Sequence, residues 1–444
     1  MAPSATPVGR STRTPADGPP LAPLDIGICG AGPAGLAAAL LLHRAGHRVT
    51  VFERFETARP LGSGLILQPT GLAVLAALGL LPEILALGSR IERLHGADAA
   101  TGRTVLDVRY ASGRNGRFGL AVHRAALFGV LHRAARQAGV AIETGRDIAA
   151  LDDAGGRPRL VQADGARIGP FDLVVDASGS RSRLKHHVET PAEPRPLAYG
   201  AFWASLPWHG EGFDGHALSQ RYRQASVMIG VMPIGRVDPG GPAQAAFFWS
   251  LKPDEAAAVQ ARGLDAWKDR VRSLWPATEA YLARIDSFEQ LTLARYGHHT
   301  LRRPAGRRLA VIGDAAHSTS PQLGQGANMA LLDAAALAHA LDTTDDLAEA
   351  LARYCAARRL HVRLFQALSL AFTPFYQSDS RLIPFLRDTL VSSVAKVPPA
   401  PAMLAAIVSG MVANPLRRIG LAEPDWAVCA RPGAHPPGDL PASP

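Results

Sequence analysis

The stretch from Asp25 to Glu53 constrains this 444-residue chain more than any other. Asp25–Cys29 (DIGIC) reads as a short apolar strand. Gly30-Ala31-Gly32-Pro33-Ala34-Gly35 comes next, and Gly35–Ala45 (GLAAALLLHRA) reads as an alanine- and leucine-rich helix that Gly46 ends. His47–Phe52 (HRVTVF) is β-branched and reads as a second strand, with Glu53 directly behind it. Strand, glycine turn, helix, strand and acid therefore fall in one register. In such a unit Gly30 permits the tight turn, Gly32 lets the backbone approach a pyrophosphate, and Gly35 lets helix and strand pack closely. Pro33 has no N–H, so the Ala34 amide is the expected phosphate donor at the positive helix end. Glu53 lies 18 residues beyond Gly35. A carboxylate there accepts ribose hydroxyls and repels a 2′-phosphate, so the expected ligand is a dinucleotide other than NADP.

A second glycine loop lies far downstream, in RLAVIGDAAHSTSPQLGQGAN at residues 308–328. A buried strand over Arg308–Ile312 is expected to end at Gly313-Asp314, where Asp314 can hold sugar or polyol hydroxyls. Pro321, Gly324 and Gly326 lead into a helix near Ala327 and Asn328. A helix N-terminus stripped of side chains stabilises developing negative charge. His317 reads as a structural hydrogen bonder rather than a base. A third strand end occurs in VVDASGSRSRLK at residues 174–185, where an apolar run stops at Asp176. Such a near-continuous apolar strand is buried on both faces.

The remaining pattern divides the chain. Thr70–Leu81 and Arg124–Gly139 read as helices, with Leu120–His123 a strand leading into the second. Val140–Glu143 and Leu160–Ala163 are further short strands. Residues 190–295 hold five of the six tryptophans and the β-like runs Tyr199–Leu206, Ser226–Met232 and Ala245–Leu251. An antiparallel sheet forming a separate domain is expected there. Residues 326–341 and 347–374 read as helices, and the Pro-rich last part as irregular.

Composition excludes several classes. The 47% apolar content can build a large core, and the net charge of +9 comes from scattered arginine pairs without aromatic interleaving. Attraction of anionic small molecules accounts for that charge, and no nucleic-acid role is expected. Cys29, Cys355 and Cys429 form no CxxC, and no His pair has zinc spacing, so neither a disulfide framework nor a metal site is expected. Residues 1–23 lack an apolar signal core and read as a disordered tail, no window is long and apolar enough for a transmembrane segment, and a cytoplasmic location fits.

GAGPAG with Glu53, together with GDAAHSTSPQLGQGAN, resembles the FAD-dependent aromatic hydroxylases, the para-hydroxybenzoate hydroxylase-like class A flavoprotein monooxygenases. The resemblance spans roughly residues 24–345. It implies an α/β fold: a Rossmann-like, GR2-type FAD-binding domain with an inserted antiparallel β-sheet substrate domain and C-terminal helices. The matching boundaries are 24–90, 118–187 and 296–345 for the FAD-binding domain, and 91–117 with 188–295 for the substrate domain. A helical region at 346–420 and an irregular tail at 421–444 complete the division.

Carried over by motif, Gly30, Gly32, Ala34 and Gly35 would hold the FAD pyrophosphate, Glu53 the adenosine ribose, and Arg54 the adenine side. Arg124, in VHRAALFGVL, would contact FAD from a helix start. Asp314 would bind the ribityl chain, and Pro321, Gly324, Gly326, Ala327 and Asn328 would line the isoalloxazine. Gly62-Ser63-Gly64 matches a glycine stretch near the flavin.

The resemblance implies that NADPH or NADH reduces FAD and that dioxygen, through a flavin C4a-hydroperoxide, oxygenates an aromatic or polyketide-like molecule. No catalytic side chain carries over, because the flavin does the chemistry. Trp203, Tyr222, Trp249, His298 and His299 are chemically suited to line a substrate pocket. Phe365, Phe372, Phe375 and Tyr376 suit either its closure, a subunit interface or core packing. VVDASGSRSRLK departs from the family's second fingerprint, GADGxxSxxR. Asp176 takes the glycine position and Ser178 the aspartate position, while Gly179 and Ser182 are kept and Lys185 replaces arginine. That puts nicotinamide use in question and leaves room for a separate flavin reductase; a homodimer is a separate expectation, for which the C-terminal aromatics would suit the interface. A flavin oxidase, dehydrogenase or reductase, or a non-catalytic flavin-holding partner, remains an alternative on the same fold. The halogenase WxWxIP stretch is absent.

Overall fold

The computed structural model describes residues 21–56, 63–113, 116–380, 382–388 and 395–429. The expected disordered segment 1–23 lies outside them except for its last three residues, as do Gly62 and the end of the 421–444 tail.

The chain begins with β1 (Asp25–Cys29), α1 (Pro33–Arg44) and β2 (Arg48–Phe52). Next come β3 (Gly64–Leu67), α2 (Pro69–Ala77), α3 (Leu81–Leu87), β4 (Ser89–Ile91), β5 (Arg93–Asp98), β6 (Thr104–Arg109), β7 (Gly119–His123) and α4 (Arg124–Gln137). β8 (Ala141–Glu143), β9 (Ile148–Asp152), β10 (Arg159–Gln162), β11 (Arg167–Ile168) and β12 (Leu173–Asp176) succeed them. The middle of the chain holds β13 (Arg195–Pro196), β14 (Gly200–Pro207), β15 (Ala217–Arg223), β16 (Val227–Pro233) and β17 (Gln244–Leu251). Then come α5 (Ala256–Ala261), α6 (Leu264–Leu274), α7 (Glu279–Leu282), β18 (Thr292–Ala294), β19 (Gly297–His298) and β20 (Leu309–Val311). The chain closes with α8 (Gly326–Asp342), α9 (Leu347–Tyr376), α10 (Leu382–Leu386), α11 (Ala400–Val408) and a last short helix, α12 (Trp426–Cys429), inside the segment expected to be irregular.

The expected βαβ start forms a parallel sheet of order β20-β12-β1-β2-β8. β12 shows why its strands read as continuous apolar runs. Leu173 and Val175 face the helices α1, α4 and α8, while Val174 packs on the other side with Phe52, Phe171 and Val311. Both faces are thus covered, as parallel sheets require. On α1, Leu36 and Leu40 are fully buried. Each such side chain contributes about 2 kcal/mol of burial.

Two local expectations fail. The helix foreseen over Thr70–Leu81 is two helices, because Gly79 turns into the left-handed region (φ +70°) and Pro82 starts a new first turn. The inserted sheet, of order β18-β14-β17-β16-β15-β5-β6, is mixed and not purely antiparallel. β5 arrives from the earlier part of the chain and pairs parallel to β15, Arg93 opposite Ala217. The alternation of β14 sorts its two faces. Phe202, Ala204 and Leu206 meet α5–α7 in one core, while Trp203 faces a second core with Met232, Ala246 and Val408. The second core reaches β3, β7 and α11, so this face of the sheet looks onto the nucleotide-binding part.

Candidate functional site

Cys29 pairs with Phe52 on one side and Asp176 on the other, and Asp176 pairs with Val311. The last residues of four strands therefore lie level. Each strand end opens into one of the sequence motifs: Gly30 after β1, Glu53 after β2, Ala177 after β12, and Gly313-Asp314 after β20. The β1–β12 boundary is also where the strand order reverses. In open parallel sheets, ligands bind outside the carboxyl ends at such a point.

Gly30 has φ +104°, and a side chain there would lie 2.6 Å from the Ala177 carbonyl oxygen. A Cβ on Gly35 would collide with the Gly30 carbonyl. Beside Gly32 nothing lies within 4 Å, so its backbone opens onto free space. No side chain caps the N-terminus of α1 and no acid occupies its first turn. Its first amides point at that space with the positive end of the helix behind them, a built anion cradle. Glu53 borders the cradle: its Oε2 accepts from the Ala31 amide (2.8 Å) and its Oε1 from the Phe55 amide (3.2 Å). Arg54 is exposed and stacks its guanidinium 4.6 Å from the Phe55 ring centre. These groups fit the pyrophosphate and ribose of a bound dinucleotide.

The downstream loop supplies the other half. Asp314 is exposed one turn from the end of β20, and the N-terminus of α8 at Gly326 likewise has neither a side-chain cap nor an acid in its first turn. A Cβ on Gly326 would sit 3.8 Å from Asp314 Oδ1. Pro321 begins a short turn that Gly324 ends in the left-handed region (φ +60°). Asn328, expected to line a ring system, is instead fully buried. Its Oδ1 accepts from the Gln68 amide (2.7 Å), and its Nδ2 donates to the Ile66 (3.1 Å) and Gly324 (2.9 Å) carbonyls. It staples the loop to β3 and shapes the site through the backbone. Ala327 is half-buried beside it. Gln325 Nε2 donates to the Val408 carbonyl (2.7 Å), tying the loop to α11.

His317 is buried and engaged with Asp333 (2.6 Å), whose other oxygen accepts from Arg358 Nε (2.7 Å). Asp333 also accepts from the Gly313 amide (2.9 Å), so this pair anchors the start of the loop. The positive neighbours hold the Asp333 carboxyl down at about 2 against its burial.

Asp176 is fully buried under the DASG turn, whose Ala177 carbonyl touches Gly30. Its carboxylate accepts from the Ser178 amide (3.1 Å), the Ser178 hydroxyl (2.5 Å) and the Ser182 hydroxyl. Burial pushes its carboxyl up, and these donors oppose the push. Lys185 is buried and pairs with Glu193 (2.8 Å). The DASG stretch is thus a turn that supports the first glycine motif.

Arg124 opens α4, exposed, with its amide donating to the Ser63 carbonyl (3.0 Å). Its charge acts on the half-buried Tyr296 phenol, which desolvation still raises to about 12. Trp203 Nε1 donates to that phenol oxygen (2.8 Å), and Trp203 packs on Phe248 with the rings tilted by 35° and their centroids 4.6 Å apart. Tyr222 is on the same face, hydrogen-bonded to Gln220 (2.9 Å) and packed on Tyr376 of α9. Trp249 is on the opposite face. It packs against Trp267 in the helix-side core, which removes it from a lining role, because β-strand side chains alternate. His298 is half-buried on the short β13–β19 ribbon, and His299 bonds Ser318 and the Ala315 carbonyl.

Pattern reading missed Tyr296, Ser205 and His123. His123 Nδ1 accepts from the Ala125 amide and so caps α4, while its Nε2 meets Ser205 Oγ (3.1 Å), which meets Ser63 Oγ (2.9 Å). His is not among the residues preferred at a helix cap, so this role of His123 left no sequence signal. Tyr296 carries no sequence signal at all.

Residues 24–365 match the FAD binding domain family. The chain is 30% identical over 343 residues to the 6-methylpretetramide 4-monooxygenase of Streptomyces rimosus, covering 73% of this chain and 76% of that protein. It is 31% identical over 330 residues to the 3-amino-4-hydroxybenzoate 2-monooxygenase of Streptomyces cremeus, covering 71% and 78%. Among solved structures it superposes on the tetrameric form of 2-methyl-3-hydroxypyridine-5-carboxylic acid oxygenase with a TM-score of 0.71 at 22% identity, covering 88% of this chain and 97% of that one. Two uncapped helix ends converging on one sheet edge, and a family match running through both glycine motifs, agree: the chain belongs to the FAD-dependent aromatic hydroxylases.

Proposed function

We propose that this protein is an NAD(P)H-dependent monooxygenase that oxygenates an aromatic or polyketide-like small molecule. The observation that carries the reading is the shared placement of two surfaces. The open edge of the parallel sheet suits FAD, and the inserted sheet turns its Trp203, Tyr222 and Phe248 face toward the nucleotide-binding part. Two relatives, the 6-methylpretetramide monooxygenase and the aminohydroxybenzoate monooxygenase, support the substrate class.

When bound and reduced, FAD supplies activation of dioxygen. Around it, each of the chain's own residues has a distinct task. Gly32 and the first amides of α1 hold the pyrophosphate, Glu53 the ribose and Asp314 the ribityl hydroxyls. The N-terminus of α8 favours negative charge on the reduced ring. Trp203, Phe248 and Tyr222 pack on the substrate ring and exclude water. Tyr296, whose oxygen already accepts from Trp203, keeps its proton and can donate it in a hydrogen bond to a substrate oxygen. Ser178, which stands at the aspartate position of the family's second fingerprint and bonds Asp176 instead, is the ground for a second route of reduction, by a separate flavin reductase.

Anaerobic reduction by NADH and by NADPH, followed by oxygen and a panel of phenolic and polyketide aromatics, tests this. The expected outcome is a yellow protein, bleached by one of the nucleotides, that forms an oxygenated product. Stoichiometric peroxide with every aromatic and no product overturns the monooxygenase reading. Bleaching only when a flavin reductase is added assigns the second route.

A further inference from the structure

We propose that the cleft between residues 300–304 and α9 is a binding site for a phosphoryl oxyanion, separate from the dinucleotide edge. The cleft is partly open to solvent and is lined by Thr300, Arg302, Cys355, Arg358, Arg359 and Arg363, among others. No residue of the Gly30–Glu53 or Pro321–Asn328 segments lines it.

Three features point to an anion. First, Arg302, Arg359 and Arg363 are exposed and form no ion pair with an acid among the described residues, unlike Arg133 and Arg303. Second, Arg359 and Arg363 are one turn apart on α9, the spacing at which like charges repel, and Arg302 joins them from the facing segment. Third, Arg358 beside them is 2% exposed. Its Nε binds Asp333 and its Nη1 meets His361 (3.3 Å), but its Nη2 is buried without a hydrogen-bond partner. An orphaned buried guanidinium nitrogen costs free energy that an oxyanion would recover.

The one acid in the cleft wall is Asp333, and it is already shared by Arg358, His317 and the Gly313 amide. The remaining charge is positive. Several guanidinium forks lining one cleft suit a tetrahedral oxyanion of charge near −2, which can take several N–H donors at once. That group can come as free inorganic phosphate or as the phosphate of a nucleotide.

The test is thermal unfolding of the FAD-loaded protein against inorganic phosphate, with sodium chloride at matched ionic strength as control. A saturable rise of about 1–3 °C with phosphate and none with chloride is expected. In Arg359→Ala/Arg363→Ala the phosphate affinity falls roughly tenfold or more. Its melting temperature without phosphate stays level or rises, since a repulsive pair is gone. Competition by NADP⁺ and not by NAD⁺ assigns the group to a nucleotide 2′-phosphate, and no competition by either assigns it to free phosphate. An equal response to chloride, or an unchanged phosphate response in the double variant, overturns the site.

Discussion

The edge of the parallel sheet and the inner face of the inserted sheet are built from different materials. At the edge, function rests on the backbone: open amides, left-handed glycines, and strands that end level at Cys29, Phe52, Asp176 and Val311. On the inserted sheet the proposed substrate face consists of large side chains whose partners come from distant segments, Trp203 on Tyr296 and Tyr222 on Tyr376. A backbone site tolerates little change and is the same for every ligand of its class. A side-chain face can be repacked, which suits the role in substrate choice proposed for it.

Four experiments probe that contrast. The largest effect is expected from Trp249→Ala, which empties the helix-side core. It should lower unfolding stability in urea by about 3–5 kcal/mol while the folded fraction keeps its substrate preference. Trp203→Phe, on the other face, should cost far less stability and change kcat/KM between aromatic substrates. If the two variants behave alike, the two-face division fails.

Next, Gly35→Ala forces a collision with the Gly30 carbonyl and should destabilise the apoprotein by about 1–3 kcal/mol. Gly32→Ala meets nothing within 4 Å. It should leave the apoprotein's stability within about 0.5 kcal/mol and weaken FAD in a fluorescence titration. Equal effects on FAD-free stability would contradict the cradle.

A pH series reaches the C-terminal layer. Burial, with Arg358 next, lowers the His361 imidazole to about 3. Between its ordinary value and that point the unfolded chain binds the extra proton, so stability falls as pH drops through this window. The slope is about 1 kcal/mol per pH unit. The contribution of Asp333 is present above its ordinary range and is lost only as pH falls toward about 2. His361→Gln should flatten the curve between pH 6 and 4 in urea unfolding, and a curve as steep as the parent's would sink this assignment.

The smallest effect tests the altered fingerprint. Ser178→Asp places a second carboxylate against Asp176, whose own charge is already disfavoured by burial. The single variant should lose about 1 kcal/mol. Asp176→Gly/Ser178→Asp removes that repulsion and restores the family pattern, so the NAD(P)H reduction rate should be read in the double variant. An unchanged rate there shows the departure to be silent.

Legibility followed the same division. The cofactor motifs could be found in sequence because a pyrophosphate cradle demands particular residues at short, fixed spacing, as in Gly30–Gly35. Asn328 was found as part of such a motif, yet its inward role was not visible, since its partners Gln68 and Ile66 are about 260 positions away. The split at Gly79 is a local signal, masked because the apolar period runs through it. The parallel β5–β15 pair could not have been foreseen, because pairing of strands more than a hundred residues apart leaves no mark on either.

The sequence by itself determined the βαβ start, both glycine loops and the cofactor class, because local backbone chemistry leaves few alternatives. Tertiary structure alone decided three things. It set Trp203 toward the nucleotide-binding part and Trp249 away from it, made DASG the support beneath Gly30, and gathered four arginines around one cleft. Each depends on strand register and helix packing, which are settled by burial summed over the whole core and not by any one stretch of chain.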